Sequence, residues 1–285
     1  MTAETSPFVV SFEWLSGRLG DPHLRIVDAS WYLPQHNRDP RAEFGAARIP
    51  GAVFFDQDRI VAPGSDLPHT LASPDDFAAA VGTLGLGNDD VIVVYDGPGM
   101  FSAPRVWWML GLNGARNVFV LDGGFDRWRA DGLPVATGPA PMPAPVIFRP
   151  AGDRSPVATF EEMQAIVVTG ACQIADARSP GRFAGTEAEP RAGMRSGHMP
   201  GARNVPISTL TTAGRLKDLA GLRDAFDEAG LDLARPVVTS CGSGVTASVI
   251  MLALASLGHA DNRLYDGSWA EWGGRNDTPV VMGNA

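Results

Sequence analysis

The sequence is short of cysteine, of positive charge and of long apolar runs, and each shortage removes a class of protein. Two cysteines in 285 residues, Cys172 and Cys241, cannot build a disulfide-dense scaffold or, by themselves, a structural zinc site. The five histidines are scattered without metal-ligand spacing, so no metal is expected. Lys and Arg number 23 against 32 Asp and Glu, a net charge of −9. Nucleic acid and anionic membrane surfaces both favour a basic protein, and both are excluded as expected partners. The longest apolar-leaning run, Val245–Leu257, is well short of the roughly 20 residues that span a bilayer. Met1–Leu15 has neither the basic start nor the apolar core of a signal peptide, so a cytoplasmic protein is expected. What the chain does have is 45% hydrophobic residues, enough for a sizeable core, and a length that suits two domains at roughly 150 residues each.

The chain repeats itself. Leu24–Ser30 (LRIVDAS) returns as Cys172–Arg178 (CQIADAR), and Arg48–Ala52 (RIPGA) as His198–Ala202 (HMPGA). Val91–Gly97 (VIVVYDG) returns as Pro236–Gly242 (PVVTSCG), and Leu121–Trp128 (LDGGFDRW) as Leu264–Trp272 (LYDGSWAEW). Four matches in one order, at a nearly constant offset of roughly 145 positions, indicate a duplicated domain rather than a solenoid. The Pro-rich stretch Gly138–Pro156 reads as an extended, semi-rigid connector. The expected division is a first domain over 1–138, a linker over 139–156 and a second domain over 157–285.

Within each copy, short apolar runs alternate with helical patterns. Ile26–Asp28, Val91–Tyr95, Val118–Leu121, Ile174–Asp176 and Val237–Ser240 read as buried parallel strands. Ser73–Leu84, Ala103–Leu112, Thr159–Val168, Leu219–Ala229 and Thr246–Leu257 read as helices, the first opening with an N-cap serine, a proline and two acids. The predicted fold class is α/β, one parallel sheet flanked by helices per domain. Ligands of such sheets sit beyond the carboxyl ends of the strands.

One loop carries nucleophile chemistry. In VVTSCGSGVTA (Val237–Ala247) an apolar strand runs straight into Cys241, and a helix begins near Thr246. Gly242 and Gly244 let the backbone fold tightly around the sulfur. Inward N–H groups and the helix dipole then favour a thiolate, the form that acts as a nucleophile. Cys172 has no such loop behind it and reads as a buried apolar residue. The first copy places Asp96-Gly97-Pro98-Gly99 against Cys241-Gly242-Ser243-Gly244, a carboxylate where the second has a thiol. Only the second copy is therefore expected to be catalytic. A cysteine phosphatase needs an arginine six positions after the cysteine, and Ala247 stands there.

These motifs together resemble the rhodanese superfamily, specifically its two-domain sulfurtransferases, over about residues 8–283. The loop CGSGVT (Cys241–Thr246) is similar to that of enzymes acting on 3-mercaptopyruvate, whereas thiosulfate-preferring members carry basic residues there. The resemblance implies a persulfide on Cys241, cradled by Gly242, Ser243, Gly244, Val245 and Thr246. Gly181–Arg191 (GRFAGTEAEPR) is similar to the family segment whose arginines hold the substrate carboxylate and keto oxygen, which implies that role for Arg182 and Arg191. Guanidinium forks suit a planar α-keto acid. Surface pairing with Glu187 and Glu189 is the competing role. The family also carries an Asp and a His eleven positions apart that meet the loop serine, which implies an Asp58–His69–Ser243 relay. Trp107, Trp108, Trp128, Trp269 and Trp272 are expected to fill core or interdomain space, and Arg105 is a possible pairing residue at the domain interface.

The implied activity is transfer of sulfur from 3-mercaptopyruvate to a thiol such as thioredoxin, or to cyanide, releasing pyruvate without a cofactor. Two alternatives stay open: a thiosulfate sulfurtransferase, and a non-enzymatic persulfide carrier, for which the arginine pair would be unnecessary.

Overall fold

The computed structural model describes residues 4–140 and 142–283. The first half runs β1 (Val9–Val10), α1 (Phe12–Ser16), β2 (Leu24–Asp28), α2 (Pro40–Ala46), β3 (Val53–Phe54), α3 (Pro74–Thr83), β4 (Val91–Tyr95), α4 (Ala103–Leu112), β5 (Asn117–Leu121) and α5 (Gly124–Ala130). The second runs β6 (Val157–Ala158), α6 (Phe160–Thr169), β7 (Gln173–Asp176), α7 (Pro180–Ala184), β8 (Ala202–Asn204), α8 (Ile207–Leu210), β9 (Thr211–Thr212), β10 (Arg215–Leu216), α9 (Leu219–Glu228), β11 (Val237–Ser240), α10 (Ala247–Ser256), β12 (Asn262–Tyr265) and α11 (Ser268–Trp272).

Each half is one parallel five-stranded sheet, ordered β1-β5-β4-β2-β3 in the first and β6-β12-β11-β7-β8 in the second. Matching orders are what a duplicated chain produces. The central strands β4 and β11 are covered on both faces, and β4 accordingly reads as a continuous apolar run, while β11 follows two valines with the small polar Thr239 and Ser240. Cys241 and Asp96 stand at their carboxyl ends.

The halves share a core. Helices α4 and α10 pack against each other, and one buried cluster joins Val106, Met109 and Leu110 of the first half to Ile250, Met251 and Leu254 of the second. This double burial explains the apolar sequence of α10, in which only Ala255 is not fully buried. Among the described residues no helix is long and apolar enough to cross a membrane.

One connection has no counterpart in the sequence pattern. The hairpin β9–β10 leaves the second half and docks on the first, where the Gly214 carbonyl accepts from Gly123 N and Asp122 Oδ1 accepts from Leu216 N. The connector is extended, as its prolines dictate, but it lies along the first half rather than free. Phe148 is buried edge-on against Phe77, and the backbone N–H of Val146 donates to the Gly82 carbonyl.

Candidate active site

The Cys241 loop hangs from α11. The carbonyls of Cys241 and Gly242 accept from the N–H groups of Trp269 and Ala270, both at 2.9 Å, and Cys241 N donates to Ser268 Oγ. Gly244 takes a left-handed φ of +79°, which glycine reaches without strain. Thr246 is the N-cap of α10. The six N–H groups from Gly242 to Ala247 have no hydrogen-bond acceptor among the described residues. Cys241 itself is 1% exposed and forms part of a cleft of about 270 Å³.

The first half shows what such a loop does with an anion. Its two carbonyl contacts repeat, with Phe125 N on the Asp96 carbonyl and Asp126 N on that of Gly97. The buried Asp96 carboxylate accepts four backbone N–H groups, from Gly99 (2.6 Å), Phe101 (2.9 Å), Ser102 (2.7 Å) and Ala103 (2.7 Å). Burial raises this carboxyl above its ordinary value, and the four donors oppose that rise. The loop is a backbone anion nest, and its first copy supplies its own anion.

The cleft lies between the halves. Trp31, Leu33, Gln35 and Phe101 come from the first half; Arg182, Glu187, Arg191, Ile207, Cys241, Gly242, Ser243, Val245 and Thr246 come from the second. Gly244 stands apart from this wall. Its carbonyl accepts from the buried Arg105, and a Cβ there would lie 3.0 Å from Arg105 Nη1.

The two arginines are held differently. Arg182, on α7, gives Nη2 to Glu189 at 2.6 Å. Glu189 also accepts from Arg178, which in turn grips Asp176 at the end of β7. Asp176, Arg178 and Glu189 are all buried at their side chains. This chain sets Arg182 directly over Gly242, where a Cβ would stand 2.9 Å from Nη2. Arg191 has no carboxylate within ion-pair distance among the described residues, and its Nη2 lies 3.4 Å from Ser243 Oγ. Burial pulls the Arg191 guanidinium down from the usual arginine value, and negative charge at Cys241 pulls it back up. Of the two roles weighed for the pair, Arg182 thus has an acidic partner and Arg191 does not.

Asp58, His69 and Ser243 form a continuous line. His69 Nε2 is 3.0 Å from Asp58 Oδ1, and His69 Nδ1 is 3.0 Å from Ser243 Oγ. A carboxylate only accepts, so neutral His69 carries its proton on Nε2 and Ser243 donates to Nδ1. The hydrogen bond from His69, chiefly, holds the Asp58 carboxyl below the usual carboxylate range. Neither Asp58 nor His69 lines the cleft; they reach it through Ser243. His69 has φ +58°, uncommon for a non-glycine residue. Trp31 covers it, with its indole N–H on Asp58 Oδ1 at 3.1 Å and its ring edge-on to the imidazole at 4.8 Å.

Sequence reasoning missed Trp31 and Arg178. The signal for Arg178 was the repeat itself, since it is one of the four positions at which CQIADAR departs from LRIVDAS and it puts a charge where the first copy has Ser30. Trp31 carried no signal, because nothing local ties it to a residue in the other half.

Comparison with known proteins matches the model of the Rhodanese-like domain twice, over residues 11–131 and 159–275. The chain is 40% identical to 3-mercaptopyruvate sulfurtransferase of Escherichia coli, covering 97% of this chain and 98% of that one. It is 41% identical to the human protein of the same name, over 93% and 91%. It is also 43% identical to thiosulfate sulfurtransferase of Gallus gallus, over 93% and 92%. Among solved structures, the crystal structure of SseA from Escherichia coli, described as a 3-mercaptopyruvate sulfotransferase of "Rhodanese" fold, superposes with a TM-score of 0.85. It is 38% identical, over 92% of this chain and 98% of that one. The sulfur transferase subunit of yeast mitochondrial complex I superposes with a TM-score of 0.87 at 35% identity, over 97% and 99%.

Proposed function

From the premise that the chain belongs to the rhodanese family, we propose that it is a 3-mercaptopyruvate sulfurtransferase with Cys241 as nucleophile. The observation that carries the choice of substrate is the arginine wall beside an uncharged thiol loop. Arg191, with no acidic partner among the described residues, receives the substrate carboxylate, and Arg182, fixed by Glu189, receives the keto oxygen. The donor's thiol sulfur then faces Cys241.

The Cys241 thiolate attacks the sulfur of HS–CH₂–CO–COO⁻. An S–S bond forms, the C–S bond breaks, and its electron pair leaves on the carbon as the enolate of pyruvate. The proton given up by the new persulfide ends on that carbon, passed by Ser243 with His69 and Asp58 behind it. Cys241–S–S⁻ and pyruvate remain. The N–H groups of Gly242 to Ala247, among them Gly244, Val245 and Thr246, stabilise the persulfide charge as the Asp96 nest stabilises a carboxylate. An acceptor thiolate, for which thioredoxin is the proposed source, or cyanide attacks the outer sulfur and returns Cys241 to its thiolate. Donor and acceptor use one site in turn, so the kinetics are ping-pong. The reading includes a cytoplasmic location and the domain division 1–138, 139–156 and 157–285.

The alternative donor is thiosulfate, favoured by the name of the chicken relative. The test is kcat/KM for both donors with cyanide as common acceptor, in wild type, Cys241→Ser and the Arg182→Ala/Arg191→Ala double variant. Mercaptopyruvate is expected to win, and the double variant to lose about a hundredfold or more on that donor alone, two charge-assisted contacts being removed. A preference for thiosulfate, or indifference to the arginines, reverses the assignment. Transfer by Cys241→Ser would end it.

A further inference from the structure

His69 belongs to the first half and Ser243 to the second, so their 3.0 Å approach depends on how the halves are joined at that point. The joint there is made by two side chains, Arg105 and Asp266. Arg105, on α4 of the first half, is 1% exposed and crosses to the second half. Its Nη2 donates to the His69 carbonyl at 2.9 Å and to Asp266 Oδ1 at 2.6 Å. Its Nη1 lies 3.4 Å from the carbonyl of Gly244, inside the cysteine loop. The other oxygen of Asp266 accepts from Leu71 N at 2.8 Å. The backbone is therefore gripped twice immediately after the His69 Cα, at the carbonyl of 69 by Arg105 and at the N–H of 71 by Asp266. The residue that leads into these grips, His69, sits at φ +58°, a conformation its own sequence does not favour. The same guanidinium touches the loop that carries the serine.

We propose that Arg105 is a positioning residue for the sulfur-transfer step: with Asp266 it holds His69 in its left-handed conformation and in register with Ser243, so that the proton relay exists only while the interdomain ion pair is intact. Arg105 is in neither the cleft wall nor the relay, and acts through His69. The proposal rests on the relay reading above. Arginine is required because three carbonyl or carboxylate acceptors are reached by one planar fork, which an ammonium cannot span.

The experiment is a double-mutant cycle in the full chain, with 3-mercaptopyruvate as donor and cyanide as acceptor. Arg105→Met is expected to lower kcat about 10- to 100-fold, with KM for mercaptopyruvate within about twofold. Arg105→Lys and Asp266→Asn, which keep part of the clamp, are expected to fall between it and wild type, and serve if Arg105→Met does not fold. In a His69→Ala background the same substitutions are expected to cost nothing further in kcat, because the residue they position is gone. A slow His69→Ala enzyme in which the Arg105 and Asp266 losses still multiply overturns the positioning role and leaves the relay standing. A rise in KM with kcat unchanged likewise overturns it. A His69→Ala enzyme as fast as wild type overturns the relay itself, and this proposal with it.

Discussion

Asp28 and Asp176 hold the same place in the two copies, at the end of the strand beside the central one, and they live under opposite conditions. Asp176 is gripped by Arg178, whereas Asp28 takes Ser30 N on its Oδ1 and has no ion-pair partner among the described residues. Burial accordingly pushes the Asp28 carboxyl up to about 6, from an ordinary value of 3.8. Raising a carboxyl in the folded state favours the protonated form there. Asp28 is thus most compatible with the fold below about pH 4, and its cost grows as pH rises to about 6 and stays above it. That cost is about 3 kcal/mol at neutral pH. Asp28→Asn keeps the acceptor for Ser30 and removes the charge. It is expected to melt higher than wild type at pH 7 and to match it near pH 4, a comparison for denaturation curves at the two values. Glu189 predicts the reverse. Glu189→Gln leaves Arg178 and Arg182 short of a buried carboxylate, with an expected loss of about 3 kcal/mol in stability. Arg182 is also released from its place over Gly242, so KM for the α-keto donor should rise, which steady-state kinetics will register.

At the scale of elements, the hairpin β9–β10 is the piece whose removal is easiest to read. Gly214 has φ +75°, its carbonyl accepts from Gly123, and a Cβ on it would collide with the Pro98 carbonyl of the first half's nest. Gly214→Ala is expected to cost about 1–3 kcal/mol of stability, seen as an earlier urea midpoint, without touching the cleft. The hairpin was illegible in the sequence because strands of two residues show no period, and β1, β3 and β6 escaped for the same reason. The buried strands β4 and β11 could be read to the residue, since burial on both faces favours apolar or small side chains, five such in β4 before Asp96 and Val237-Val238-Thr239-Ser240 before Cys241. Helix ends were legible where a cap announces them, as Ser73 does for α3. The site divides in the same way. The thiol loop is local and shows its chemistry in six letters. The clamp at Arg105 is not local: its carboxylate partner is 161 residues away and its other acceptors are backbone carbonyls, which no side-chain pattern records.

For the whole molecule, the shared core between α4 and α10 governs how the two copies come apart. Two halves joined by a flexible tether would melt separately, whereas these bury Val106, Leu110, Ile250 and Leu254 in one cluster. Calorimetry is expected to give one transition with matching calorimetric and van't Hoff enthalpies, despite the duplicated architecture. The two loops also differ in what they have to hold. The nest around Asp96 is filled by the chain itself, whereas under the proposed mechanism the one around Cys241 receives its occupant anew in each cycle. Cargo is then also mortar: the enzyme carrying sulfur should be the sturdier of its two forms, melting about 3 °C above the same sample stripped with cyanide. A cell short of acceptors would accumulate that sturdier form, so scarcity downstream would lengthen the life of the loaded protein.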